Sequence, residues 1–473
     1  MASVVQEIDR FFCPRRVALV GVSRNFGFGH GLPGFFVKHG WADRICPVNP
    51  HLREIEGVPV YPSLAKVPGE VDLACIMVPA PAVLSVLREC ADRGIRSVVV
   101  MSAGFAETGP EGRRLQEELR ETARRAGIRV MGPNCIGVVN VPGRFATCEI
   151  LLDELEPGTI SIVAQSGVFG NILLDGMPSL GARIAKVATI GNRADLDETD
   201  FLEYLSEDSE TGVIVLYLES ILRGREFLRA ARRASLRKPV VAYLGGQTEA
   251  GRRATSSHTG SLAGFGALDR AAVRQAGIWI ARDPLELLET AKVLALNPLP
   301  RGNRVLVVTA SGSLGVMTAD QLSLEGLSLA ELSPASLSRL RKKAPAWMNL
   351  GNPLDVGPSG LLREAMAVAL EAPEVDAVIA FPIIPWAVVS PLLERDPESV
   401  FSLFLDRPQI EAALESRPVL VSAQGHPRWK ELCSRFYGPR VSMVSSPQTA
   451  ARALGALCRY AEWRRKAGEG VPD

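Results

Sequence analysis

"GTISIVAQSGVFGNILL", residues 158–174, decides the fold. A buried apolar strand ends in a Gly/Ser loop, Gln165, Ser166 and Gly167, and leads straight into a helix. The same device recurs at "VGVSRNFGFGHG" (20–31) and at "TASGSLG" (309–315). In open α/β sheets such junctions lie at the carboxyl ends of strands. There ligands bind, and free N–H groups at the helix start attract phosphate or carboxylate. Three such loops point to a ligand, or a set of ligands, rich in phosphates.

Apolar runs and amphipathic stretches alternate around each loop. The first third holds "VALVGVS" (17–23), "ICPVNP" (45–50), "VDLACIMVP" (71–79), "SVVVMSAG" (97–104) and "IRVMGPN" (128–134). A helix over 111–126, "EGRRLQEELRETARRA", opens on acidic residues that suit its N-terminal dipole. A second alternation runs through "GVIVLYLES" (212–220) and "KPVVAYLGG" (238–246), and a third through "VDAVIAFPII" (375–384) and "RPVLVSAQG" (417–425). Near-continuous Val/Ile/Leu strands separated by helices imply parallel sheets covered on both faces. The expected class is therefore α/β, with three doubly wound parallel-sheet domains at 1–140, 141–298 and 303–473. "LALNPLPRGN" (294–303) is the clearest linker.

The bulk composition excludes several function classes. Apolar residues make up 47% of the 473, enough for a sizeable core, and a formal net charge of +1 leaves no electrostatic footprint for nucleic acid or an acidic membrane surface. The eight cysteines show no CxxC pair or zinc-type spacing and read as buried thiols in a reducing compartment. "MASVVQEIDRFFCPRR" lacks a secretory apolar region, and no stretch approaches 18 unbroken apolar residues, so a cytoplasmic protein without a membrane span is expected.

The first loop does not make G-x-G-x-x-G at its strand end, because its glycines stand at 21, 27, 29 and 31. Where an NAD site wants an acid to accept from the ribose hydroxyls, Asn49 and Pro50 stand, with Arg53 following. A phosphorylated ribose fits that better than a bare diol, which leaves NADP and coenzyme A open.

"SSHTGSLAG" (256–264) sets one of only five histidines, His258, among hydroxyls and glycines. Ser256, Ser257 and Thr259 could be ordinary cap residues. A phosphoryl-carrying imidazole, however, needs a helix N-terminus, small neighbours that let N–H groups approach, and a carboxylate on its far nitrogen. Glu219, an acid closing the apolar strand "GVIVLYLES", is the candidate carboxylate.

Together "SSHTGSLAG", "AQSGVFG", "IGNRADLDETDFLEYL", "LYLES", "VNPHLREIEGVPVYPSL", "SAGFAE" and "GPNCIG" closely resemble the NDP-forming acyl-CoA synthetases, in particular their ADP-forming acetyl-CoA synthetase alpha subunits, which are similar to succinyl-CoA synthetase. The resemblance covers nearly the whole chain and is looser beyond 303. It implies a Rossmann-like CoA-binding domain followed by two flavodoxin-like ligase domains. The implied reaction joins acid, CoA and ATP into acyl-CoA, ADP and phosphate, through an acyl phosphate and a phosphohistidine at His258.

By the same resemblance, Glu219 orients that histidine, and Gln165, Ser166, Gly167, Thr259 and Gly260 cradle its phosphate. Gly21, Ser23, Arg24, Asn49, Pro50, Val78, Pro79, Ser102, Ala103 and Asn134 line the path of coenzyme A. Ser311, Gly312 and Ser313 meet the acid substrate. No metal ligand is expected on this chain. It carries no Walker-type G-x-x-x-x-G-K-[ST] and nothing resembling an ATP-grasp domain, so ATP/ADP and Mg2+ are assigned to an ATP-grasp beta subunit in an α2β2 assembly.

Three departures from the family pattern stand out. "RNFGFGHG" replaces a Pro-Gly-Lys-like stretch, with His30, Arg24 or Arg53 available as substitute phosphate partners. "ASGSLG" replaces Asn-x-Gly-Gly, and "NPLDVGPSG" (352–360) keeps half its pattern; Trp347 and Met348 just before it are candidates for an apolar acyl pocket. The competing readings are a non-catalytic CoA-binding regulatory protein with the same fold and, from the first domain alone, an NADP-dependent oxidoreductase.

Overall fold

The computed structural model describes residues 4–25, 29–253, 264–401 and 407–468. They form two compact units, Met1–Pro284 and Leu285–Asp473.

The first unit is built on two sheets. In one, five parallel strands run in the order Ile45–Val48, Val17–Val20, Leu73–Ile76, Ser97–Val100, Arg129–Met131. Four of the five are buried along their whole length, which is why they read as unbroken apolar runs rather than alternating ones. The order reverses between Val17–Val20 and Leu73–Ile76, so the crevice at their carboxyl ends is a topological switch point. The helix expected over 111–126 is Pro110–Ala126, closed by Gly127 at φ +63°.

The other sheet is ordered Ile278–Ile280, Val240–Leu244, Val213–Leu218, Pro157–Ala164, Ile184–Thr189, Gly137–Asn140, Phe145–Ala146. It is not wholly parallel as expected. Gly137–Asn140 runs antiparallel to Ile184–Thr189, and Phe145–Ala146 antiparallel to Gly137–Asn140. These two edge strands come from the turn that leaves the first sheet, too short a connection for a helical crossover, so they enter reversed.

Two contacts lock the sheets of this unit together. Helix Val4–Phe12 stacks Phe12 on Tyr204 at 5.3 Å, and the Tyr204 hydroxyl donates to Asp9 Oδ1 at 2.9 Å. At the other end, residues 192–196 zip alongside 130–133 through backbone bonds: Asn192 to Pro133, Ala194 to Gly132 and Leu196 to Val130. Asp195 closes the zip, accepting from Arg129 Nε at 2.9 Å, from Arg129 Nη2 at 3.2 Å and from the Val130 N–H at 2.9 Å. Asp195→Ala should therefore lower stability by about 2 kcal/mol, since it strips the Val130 N–H of its acceptor and leaves the partly buried Arg129 guanidinium with Glu7 alone. A drop in the urea midpoint with an unchanged slope is the readout.

The second unit holds a parallel sheet ordered Ser328–Leu329, Arg304–Thr309, Ala377–Phe381, Val419–Val421, Ser442–Met443, with Leu354–Asp355 pairing the end of Arg304–Thr309. Helix Gly312–Leu324 starts directly after "TAS", as in the first unit's junction. The unit boundary falls ahead of the Pro-rich stretch 294–303. Asn297 within that stretch is buried, donating to Ser442 Oγ at 2.7 Å and accepting from the Val419 N–H at 3.0 Å.

Candidate active site

A cleft of about 460 Å³ opens where the two sheets of the first unit meet. Its floor comes from four segments far apart in sequence: the turn Asn134–Ile136, the helix start Gln165–Val168, Gly191–Ala194, and the strand end with Glu219 and Leu222. Arg113, Gln116 and Arg120 of helix Pro110–Ala126 line it as well. The backbone zip between 130–133 and 192–196 is what brings the turn and the Gly191 loop together.

Ser166 caps helix Gly167–Leu180, its hydroxyl accepting from the Phe169 N–H at 3.4 Å. The first-turn N–H groups of Gly167 and Val168 have no intrahelical acceptor and face a helix dipole's positive end. Gly167 is required by space: a Cβ there would stand 2.7 Å from Ile136 Cγ1.

Glu219 sits beside this helix start and is 7% exposed. Three backbone bonds hold its segment: its N–H donates to Gln165 Oε1 at 2.7 Å, its carbonyl accepts from the Gly264 N–H at 3.0 Å, and the Gly245 N–H reaches Leu218 O at 2.7 Å. One carboxylate oxygen, Oε1, accepts from the Tyr217 hydroxyl at 3.0 Å. Among the described residues Oε2 has no hydrogen-bond partner.

A buried polar cluster supports this strand end. Glu198, fully buried, accepts from Arg193 Nη1 at 3.0 Å, from Gln165 Nε2 at 3.2 Å and from the Leu222 N–H at 3.1 Å. Arg193, at φ +58°, also holds Ser220 through its carbonyl and its hydroxyl. Behind the lining residue Asn192, Glu107 accepts from the Gly104 and Phe105 N–H groups and from Asn192, which in turn meets Asn134. Burial works to raise the Glu107 carboxyl, but those bonds win and hold it below the usual range. Burial pushes the Cys135 thiol in the cleft floor well up, so it stands there as a neutral thiol.

The sequence-picked residues fall into separate places. Gln165, Ser166, Gly167, Glu219 and Asn134 share the cleft. His258, Thr259 and Gly260 lie outside the described residues. Gly21, Ser23, Arg24, Asn49, Pro50, Val78, Pro79, Ser102 and Ala103 gather at the carboxyl ends of the first sheet, along the switch-point crevice. Ser311, Gly312 and Ser313 stand at the helix start of the second unit, Ser311 Oγ and Ser313 Oγ 3.0 Å apart.

Several of those side chains are spent on structure. Gln165 uses both amide atoms on Glu198, Glu219 and Ser220, so an anion could meet only its backbone. Asn49 Nδ2 ties the second strand end to Val22 O at 2.7 Å, and the Ser102 hydroxyl donates to Val78 O at 2.5 Å. At the first junction the Gly31 N–H already meets Glu149 Oε1 at 2.9 Å, so a carboxylate holds that helix start. Cys13 is exposed and Cys458 half-buried, unlike the other six thiols. Tyr217, Arg193, Glu198 and Asn192 carry no individual role in the sequence, and Glu107 stands there only as the end of "SAGFAE" (102–107), a stretch expected along the path of coenzyme A. Only Tyr217, two positions before Glu219 on one strand face, carried a local signal.

No described helix is long and apolar enough to cross a membrane. Among the described residues no cluster could hold a metal ion.

Comparisons with known proteins agree with this architecture. Residues 15–141 match the model of a CoA binding domain, and residues 157–294 that of a succinyl-CoA ligase-like flavodoxin domain. The chain is 38% identical to the alpha subunit of the ADP-forming acetate–CoA ligase II of Pyrococcus furiosus, over 80% of this chain and 83% of that protein. It is 33% identical to the alpha subunit of that organism's ligase I, over 97% and 99% of the two chains. Its fold matches the dinucleotide-forming acetyl-coenzyme A synthetase 1 of Ca. Korarchaeum cryptofilum, solved with phosphate and ADP, at a TM-score of 0.88 and 32% identity over 98% and 99% of the chains.

Proposed function

This chain belongs to the NDP-forming acyl-CoA synthetases, as an ADP-forming acid–thiol ligase alpha subunit, and we propose that His258 carries the phosphoryl group in its cleft between nucleotide and acid. The observation that carries this reading is the buried Glu219 beside a helix N-terminus, anchored through Oε1 and with no partner for Oε2 among the described residues. The chain six residues after His258 is fixed beside that spot. Gly264 donates to the Glu219 carbonyl, and the six residues back to His258 span at most about 20 Å.

In this reading Glu219 Oε2 accepts the N–H of one imidazole nitrogen and leaves the lone pair of the other aimed at phosphorus. The P–O bond to ADP breaks as the P–N bond forms; the acid's carboxylate then takes the phosphoryl group and the imidazole is restored. Gly167 and Val168 N–H groups stabilise the equatorial phosphate oxygens, and the cleft walls exclude water. Ser311, Gly312 and Ser313 meet the acid at their own helix start.

Coenzyme A supplies the thiol that displaces phosphate from the acyl phosphate. The crevice residues fit it: Arg24 and Arg53 are exposed beside a second strand end that offers Asn49 instead of an acid, and Gly21, at φ +96°, lets its loop approach Val78 where a Cβ would stand 2.9 Å from the Val78 nitrogen. The non-catalytic regulatory reading has no comparable support, since the relatives are named as ligases.

ATP and Mg2+ are assigned to an ATP-grasp partner. The purified chain alone should form no acyl-CoA from ATP, CoA and a carboxylic acid. Adding the partner should restore acyl-CoA and ADP in equal amounts. Turnover by the chain alone, or none by the pair across a panel of acids, would overturn the assignment.

A further inference from the structure

We infer that Tyr217 is a positioning residue for phosphoryl transfer: its hydroxyl occupies one oxygen of the Glu219 carboxylate and thereby turns the other toward the imidazole. The inference rests on the assignment of His258 and Glu219 as carrier and orienting carboxylate.

Among the described residues, every other hydrogen bond to Glu219 acts on its backbone. Gln165 holds the N–H, Gly264 holds the carbonyl, and neither touches the carboxylate. A glutamate fixed only at its backbone keeps three side-chain torsions, and its two oxygens exchange places freely. Tyr217 removes that freedom with one bond, Oη to Oε1 at 3.0 Å.

The hydroxyl can do so because its ring is fixed in turn. Tyr217 and Glu219 project from the same face, two residues apart, at the end of strand Val213–Leu218. The Tyr217 ring lies 4.2 Å from Phe169 and stacks on Tyr243 at 6.0 Å. Phe169 belongs to the first turn of helix Gly167–Leu180, and its N–H is the one Ser166 caps. The ring thus registers the carboxylate against the helix start that is to hold the phosphate.

Gly245 on the neighbouring strand end packs against the pair. A Cβ there would make ordinary van der Waals contact, 3.5 Å from Glu219 Cγ and 3.7 Å from the Tyr217 oxygen. Burial and the adjacent carboxylate both push the Tyr217 hydroxyl well above its ordinary value, so it stays a proton donor at any working pH.

The test uses the complex of this chain with its ATP-grasp partner. Wild type, Tyr217→Phe, Glu219→Ala and the double variant are labelled with ATP in single turnover, and kcat and KM for CoA and acid are measured beside it. Tyr217→Phe keeps the ring and loses one oxygen. It should slow labelling about tenfold, the worth of one hydrogen bond to a charged group, with both KM values within about twofold. In the Glu219→Ala background the same change should have no further effect.

Equal slowing in both backgrounds would place Tyr217's contribution elsewhere and overturn the inference. Unchanged labelling, or a raised KM at constant kcat, would do the same. If wild type takes no label, the carrier assignment fails and the inference with it. Phe169→Leu, which loosens the ring and leaves the hydroxyl, gives an independent arm: a smaller loss confined to kcat is expected, and a loss confined to KM counts against the inference.

Discussion

His258→Ala should abolish labelling of this chain, both by ATP with the partner subunit and by acyl-CoA with phosphate. The reason for expecting complete loss is that no other imidazole lines the described cleft. The other four histidines are His30, His39, His51 and His426, and none of them lines the cleft. His39 is held against Phe35 at 4.5 Å and close to Asp153, while His426 belongs to the second unit. The cleft's thiol, Cys135, is kept protonated by burial. The wild-type label should be lost in acid and survive base, as a phosphoramidate does. Labelling that persists in His258→Ala, or a label stable to acid, would sink the assignment.

The second large effect is expected from Glu219→Gln, a change of nearly constant shape. The amide must still give the Tyr217 hydroxyl an acceptor, so its oxygen takes the Oε1 position and its NH2 turns to the imidazole. The imidazole nitrogen facing it must then accept, which moves the ring proton onto the nitrogen that has to attack phosphorus. The wrong tautomer should cost about a thousandfold in the labelling rate, roughly 4 kcal/mol of barrier, with the unfolding midpoint almost unchanged. A loss of tenfold or less would mean that Glu219 does not fix the tautomer. A large fall in stability would instead make Glu219 structural.

The residue order makes part of this site legible and hides the rest. The strand–Gly/Ser–helix junctions at 164–170 and 309–315 are local events. Their strands are buried on both faces and read as apolar runs, and Gly and Ser at the turn expose helix-start N–H groups. Glu219 was equally visible, because a carboxylate closing such a strand has no place in a core.

The roles within the junctions were less legible. Gln165 stands in the loop like a phosphate ligand, yet its amide grips a strand end 54 and 55 residues away. Ser102 and Asn49 likewise look like ligand contacts and serve as ties between strand ends. A short polar side chain beside a crevice has the same local signature in either role, and only the position of its partner separates them.

By itself, then, the sequence determined the elements, their α/β order, and the residue types gathered at the carboxyl ends of strands. Period and turn chemistry act over a few residues, and three repeats of one device leave little choice of class. The tertiary structure alone decided that residues 130–133 run beside 192–196, that two edge strands enter antiparallel, and that Tyr217 rather than a charged group holds Glu219. Those are pairings between segments dozens of residues apart, or rotamers set by packed rings. Their energies depend on what the folded chain brings within about 3 Å, which no local pattern encodes.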